Sequence, residues 1–137
     1  MNWTKAVIAG VVGGIVVNIY AFLVHGFIMG ATYEKYEVFG VAPAPSPVWF
    51  FVVAIVVGIF GAIVFAKSRS AWGAGVKGGV NFGFWFGLVA FFAQFYNPLV
   101  IKGFPYFLSW CWGGITLIGW LIFGAIASLL YKESAAA

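Results

Sequence analysis

Four runs of this chain, about Ala6–Gly30, Val48–Ala66, Gly78–Leu99 and Leu108–Tyr131, contain no Lys, Arg, Asp or Glu. Each is long enough to cross a bilayer as a helix, which takes roughly 17–25 residues. Helix is also the form forced on them, because lipid offers no partner to an open strand edge or an irregular backbone. The whole chain is 64% hydrophobic and 7% charged. A water-soluble domain would need far more charge to cover its outside. The fold class expected is therefore all-α: an integral membrane four-helix bundle, a single membrane domain over residues 1–137. The first run is too long for a signal-peptide core and no A-x-A-like site follows it, so it is expected to be retained.

Charge sorts by side. Lys5, Lys67, Arg69, Lys77 and Lys132 fall with the termini and the middle loop, whereas Lys35 and Lys102 fall opposite, with Glu34 and Glu37 beside Lys35. The positive-inside rule then places both termini in the cytoplasm, as in a bacterial inner membrane. Trp3 and Trp72 are expected at the inner interface, and Trp49, Trp110 and Trp112 near the outer one. The basic residues are too few and scattered for a nucleic-acid surface. One Cys excludes an internal disulfide. The loop after the first run ends in PAPSP, Pro43 to Pro47, a stiff extended segment in which Ser46 and Pro47 suit the cap and first position of the second helix.

Ile59–Ile63 reads IFGAI, and so does Ile122–Ile126. In so apolar a chain that alone is weak, but at the same offset of 63 Trp49 falls on Trp112. At an offset of 73 the preceding helices align too: Ala6 on Gly79, Gly10 on Gly83, Gly14 on Gly87, Phe22 on Phe95 and Gly30 on Gly103. These matches suggest two repeats, residues 5–68 and 77–132, each a helical hairpin entering from the same side. The halves would be parallel, related by an axis along the membrane normal.

Small residues recur every fourth position at Ala6, Gly10 and Gly14, at Gly75, Gly79, Gly83 and Gly87, and at Gly58, Ala62 and Ala66. Such rows let helix backbones approach closely in lipid. The simplest arrangement packs the first and third helices together along the pseudo-axis; the alternative uses one row for a homo-oligomer contact.

Polar residues within the runs are few: Asn18, His25, Asn81, Gln94, Asn97, Thr116 and Ser128, with Cys111 as a weak addition. At about 100° per residue, eleven positions nearly restore a direction. His25 thus lies on the Gly14 face together with Asn18, and Gln94 on the Gly83 face, with Asn97 close by. His25, Gln94, Asn97 and Cys111 then share the outer third of the membrane. The ligand-binding candidates are His25, Gln94, Asn97 and Asn18. Three readings compete for them: interhelical hydrogen bonds that hold the bundle; contact with a lipid headgroup, quinone or pigment; and a metal site. One His and one Cys fall short of a ligand set for the third. No motif indicates a cofactor. The sixteen Phe give either lipid-facing bulk or a wall for a flat hydrophobic ligand.

Two motif matches carry no function. Gly73, Gly75 and Gly78 spell G-x-G-x-x-G, but that fingerprint works only between a strand and a helix; here the glycines suit a tight turn. Asn97-Pro98-Leu99 departs from the paired NPA boxes of water channels at its third residue and occurs once. In length and span number the chain resembles small multidrug transporters, which depend on a first-helix Glu that it lacks. Intramembrane carboxylates usually carry ion coupling, and acid–base catalysis needs a placed titratable pair; the runs offer only His25 and Cys111. The expectation is a non-catalytic membrane component: an accessory or structural subunit of a larger membrane complex, or a small homo-oligomer, contacting lipid or hydrophobic ligands. The alternative is a channel or facilitator for a small uncharged solute.

Overall fold

The computed structural model describes residues 1–40 and 46–132. Every regular element among them is helical, and four helices are long and apolar enough to span a membrane: α1 (Trp3–Ile28), α2 (Pro47–Lys67), α3 (Gly75–Val100) and α4 (Tyr106–Leu130). Most of PAPSP lies outside the described residues. Its last two residues do begin α2, with Pro47 in the first turn where a missing N–H costs nothing. Ser46 precedes it in an extended conformation, but its side chain makes no cap bond. Asn2 does cap α1, its side chain accepting from the Lys5 N–H at 3.0 Å.

Lys77 sits inside α3, because that helix begins at Gly75, earlier than the apolar run. The G-x-G-x-x-G segment forms the turn into it. Gly73 and Gly75 have φ of +87° and +61°, values open to glycine at no steric cost. A Cβ on Gly78 would strike the Gly73 carbonyl. Arg69 donates to that same carbonyl, and Trp72 Nε1 donates to Ser68 Oγ at 2.7 Å, which closes the α2–α3 connection.

The glycine rows face different partners from those expected. The row of α1 packs on α2: a Cβ on Gly10 would fall on the Ile59 backbone, and one on Gly14 on the Ala54 carbonyl. Gly58 returns the contact onto Gly10. The row of α3 packs on α4, where Gly79 and Gly124 press on each other's carbonyls and Gly83 and Gly87 meet the backbones of Trp120 and Leu117. α1 and α3 share no packed face. Periodicity marks the close-packing side of each helix, and here the sequence neighbour occupies it. The two pairs meet instead through α1 and α4, so α4 lies between α1 and α3.

The core sits at the end of the bundle where α1 begins and α4 ends. Ala6, Ala9, Ala62, Phe65, Ala66, Phe82, Phe123, Ala127 and Tyr131 are all buried there. Phe65 of α2 and Phe82 of α3 touch across it, with ring centroids 5.1 Å apart. The Asn2 N–H donates to the Tyr131 hydroxyl at 3.0 Å, tying the start of α1 to the end of α4. Toward the opposite, distal end α3 and α4 stay in contact, the Phe95 and Trp110 rings lying 4.9 Å apart.

Candidate functional site

Where α2 diverges from α4 a cleft of about 210 Å³ opens between α1, α2 and α4. The Phe123 ring closes its lower end, lodged in a notch made by two glycines: a Cβ on Gly13 would come within 2.7 Å of that ring, and one on Gly61 within 3.1 Å. Above it the walls are small or aliphatic, with Gly14, Val17 and Ala21 from α1, Ala54 and Val57 from α2, and Ile115 and Gly119 from α4. Tyr20, Thr116, Trp120 and His25 bring the side-chain polar atoms, and no carboxylate or amine lines the cleft.

His25 stands at the distal end, on a π-helical turn, Leu23–Ile28, that closes α1. The Met29 N–H reaches back five residues to the Val24 carbonyl at 2.9 Å. Such turns recur at functional sites. Beyond it a short helical turn, Gly30–Tyr33, carries Tyr33 back over the imidazole. His25 Nδ1 lies 2.5 Å from the Tyr33 hydroxyl, which also accepts from Trp112 Nε1 of α4 at 2.8 Å. The imidazole and phenol rings stack at 5.9 Å, and the Trp112 ring meets the imidazole edge-on at 5.8 Å. Phe39 and the buried Phe104 close the cluster, with Phe39 4.9 Å from Tyr33 and Phe104 5.1 Å from Trp112. Burial raises the Tyr33 hydroxyl above its ordinary pKa, the bond from Trp112 partly offsetting this and Cys111 nearby adding to it. Tyr33 is therefore a neutral phenol at physiological pH.

The other candidates lie elsewhere. Asn97 donates to Gln94 at 3.0 Å, and Gln94 reaches the Ala90 carbonyl at 3.5 Å, so the two amides satisfy each other along α3. They share a level with His25 but not a site, because α4 stands between α1 and α3. Asn18 is buried and continues the Ala6–Gly10–Gly14 row. Ser128 bonds its own helix at Ala125. Trp112, expected at a bilayer interface, turns inward to Tyr33, whereas Trp3, Trp49 and Trp110 remain exposed.

Tyr33 and Trp112 are the functional candidates that sequence reasoning passed over. Tyr33 lies outside the apolar runs, and a π-turn separates it from His25, so helical periodicity gives no register between the two. The available signal was chemical: a lone imidazole in an apolar run needs a partner, and a hydroxyl eight residues away supplies one.

No protein-family model matches the chain, and no curated protein or solved structure matches it.

Proposed function

We propose that this chain is a non-catalytic component of a membrane, acting as an accessory subunit or small oligomer, and that its cleft holds a hydrophobic ligand or lipid chain. The observation that carries this is the cleft itself: an apolar, partly open groove between α1, α2 and α4. Convergent polar groups at one end of an apolar cavity are the usual make-up of a ligand site.

The two helix pairs are, on this proposal, copies of one hairpin, both entering from the cytoplasm. Gly14 meets the backbone of Ala54, and 73 and 63 residues on Gly87 meets that of Leu117. Two helix pairs that close at matching positions support the duplication that the IFGAI match suggests.

Purification in mild detergent, followed by mass spectrometry of what remains bound, tests the binding function. The wild type is expected to retain a lipid or other hydrophobic molecule. Thr116→Phe, which fills the cleft from α4, is expected to lose it while keeping its helix content. Equal retention by the two would overturn the cleft as the site.

A further inference from the structure

The hydrogen bonds around Tyr33 fix where the proton of His25 sits. Trp112 Nε1–H can only donate, so the Tyr33 oxygen accepts from it at 2.8 Å. That oxygen keeps one proton of its own. Among the described residues its only other partner is His25 Nδ1, at 2.5 Å. The phenol therefore donates to Nδ1, and the neutral imidazole carries its proton on Nε2. The reverse arrangement would leave the phenol proton without an acceptor, and an imidazolium would stand at an apolar cleft that no carboxylate lines.

Among the described residues no protein group accepts from Nε2, and Nε2 is not among the buried side-chain atoms left unpaired. The ring lines the cleft, so its free N–H is a donor offered to whatever enters. Three features describe that occupant. The cleft is smaller than the roughly 300–1,000 Å³ of ordinary small-molecule sites, which suits a single chain and not a fused ring system. It is lined by three of the four spans and is partly open. His25 lies three residues from the end of α1, roughly 5 Å in at 1.5 Å per residue, near the boundary between hydrocarbon and headgroups. A glycerolipid carries its ester carbonyls at that boundary, with an acyl chain running inward from each.

Resting on the ligand-binding reading above, we infer that the cleft takes one acyl chain of a diacyl lipid, whose ester carbonyl accepts a hydrogen bond from His25 Nε2, with Tyr33 and Trp112 as positioning residues that hold the imidazole in the Nε2–H form. The hydrocarbon fills the groove down to Phe123. The carbonyl replaces the partner that the imidazole lacks within the protein.

His25 is the only histidine of the chain, so ¹⁵N-histidine NMR of the whole protein in lipid nanodiscs reads its tautomer without assignment. The wild type is expected to show Nε2 protonated and Nδ1 bare, and Tyr33→Phe a mixture; Nδ1 protonated in the wild type would overturn the inference. The second measurement is retention of a diester phosphatidylglycerol against its diether analogue, which lacks the carbonyls. The wild type should prefer the diester roughly threefold, the size of an average membrane hydrogen bond. His25→Leu should show no preference, while His25→Gln, which keeps a donor, should recover part of it. Equal retention of diester and diether by the wild type, with both lost in Thr116→Phe, would overturn the carbonyl contact and leave the cleft standing. Undiminished lipid on Thr116→Phe would remove the cleft itself. Displacement of the diester by a prenyl quinone, abolished in His25→Leu, would make the occupant a quinone and overturn the acyl-ester assignment.

Discussion

At the scale of single residues, the Tyr33 hydroxyl is the junction on which the distal end depends. It joins the turn after α1 to α4 through two hydrogen bonds, at 2.5 Å to His25 and 2.8 Å from Trp112. Tyr33→Phe removes both and leaves an indole N–H and an imidazole nitrogen unpartnered, so a loss of about 1–2 kcal/mol is expected in detergent melting. His25→Gln should cost less than His25→Leu, since Gln can still pair with the phenol. Because the groups act as one unit, the double change Tyr33→Phe with His25→Leu should cost clearly less than the sum of the two. Additive losses would show that the pair does not interact. The phenol also predicts a pH dependence. Its folded pKa lies above the unfolded value of about 10, chiefly through burial. Its contribution to stability is therefore complete below pH 10 and lost as pH rises through the folded value. The ultraviolet titration of the folded wild type should contain a late tyrosinate step that is missing from Tyr33→Phe. His25 was legible in the sequence as the one imidazole in an apolar run. Its partners were not, because the arithmetic that aligned it with Gln94 and Asn97 gives direction on one helix and says nothing of which helix stands opposite.

For the helices, the same distinction separates what the sequence disclosed from what it withheld. Composition disclosed four spans, and the fourth-position rows disclosed which side of each helix packs closely. The partner of each row was hidden, since Gly58 and Gly124 accept the rows of α1 and α3 as readily as those rows could have accepted each other. A comparison of bulk at corresponding positions explains the choice. Ala9 and Gly13 let α1 approach α4, whereas 73 residues on Phe82 and Phe86 stand on α3, and the Phe82 ring holds Phe65 of α2 at 5.1 Å. Two glycines of α4 put the packing to the test. Gly124→Ala drives a Cβ into the Gly79 carbonyl, where only backbone can yield; a loss of about 2–3 kcal/mol is expected, at the upper end of overpacking costs. Gly114→Ala meets nothing within 4 Å and should be neutral or stabilise by up to about 1 kcal/mol through helix propensity. Equal melting temperatures for the two variants would show that α3 and α4 do not close on this row.

Taken whole, the molecule has its aromatic core where α1 begins and α4 ends and its cleft on the distal side of that core, and one side chain marks the division. Lys5 Nζ reaches the Lys132 carbonyl at 3.4 Å, so the start of α1 and the end of α4 lie at one end of the bundle. The basic residues gathered there support a cytoplasmic assignment for that face. Reporters fused after Lys67 and at the C-terminus should read cytoplasmic, and those near Lys35 and Lys102 external; a cytoplasmic signal near Lys35 would invert the molecule. Across the division stands Phe123, buried at 3% exposure with its ring between Gly13 of α1 and Gly61 of α2. It is at once a bulky contact between the two helix pairs and the floor of the cleft. Phe123→Ala leaves both glycine notches empty. In lipid no water-driven term rewards refilling them, so the loss comes from packing alone, and about 2–4 kcal/mol is expected, at or below the water-soluble range for Phe→Ala. The emptied notch also deepens the cleft toward the core. Phe123→Ala should therefore melt earlier yet bind lipid at least as well as the wild type, whereas Thr116→Phe should lose lipid without that fall in stability. Loss of stability and of lipid together in Phe123→Ala would mean that the cleft exists only while the two pairs are pinned.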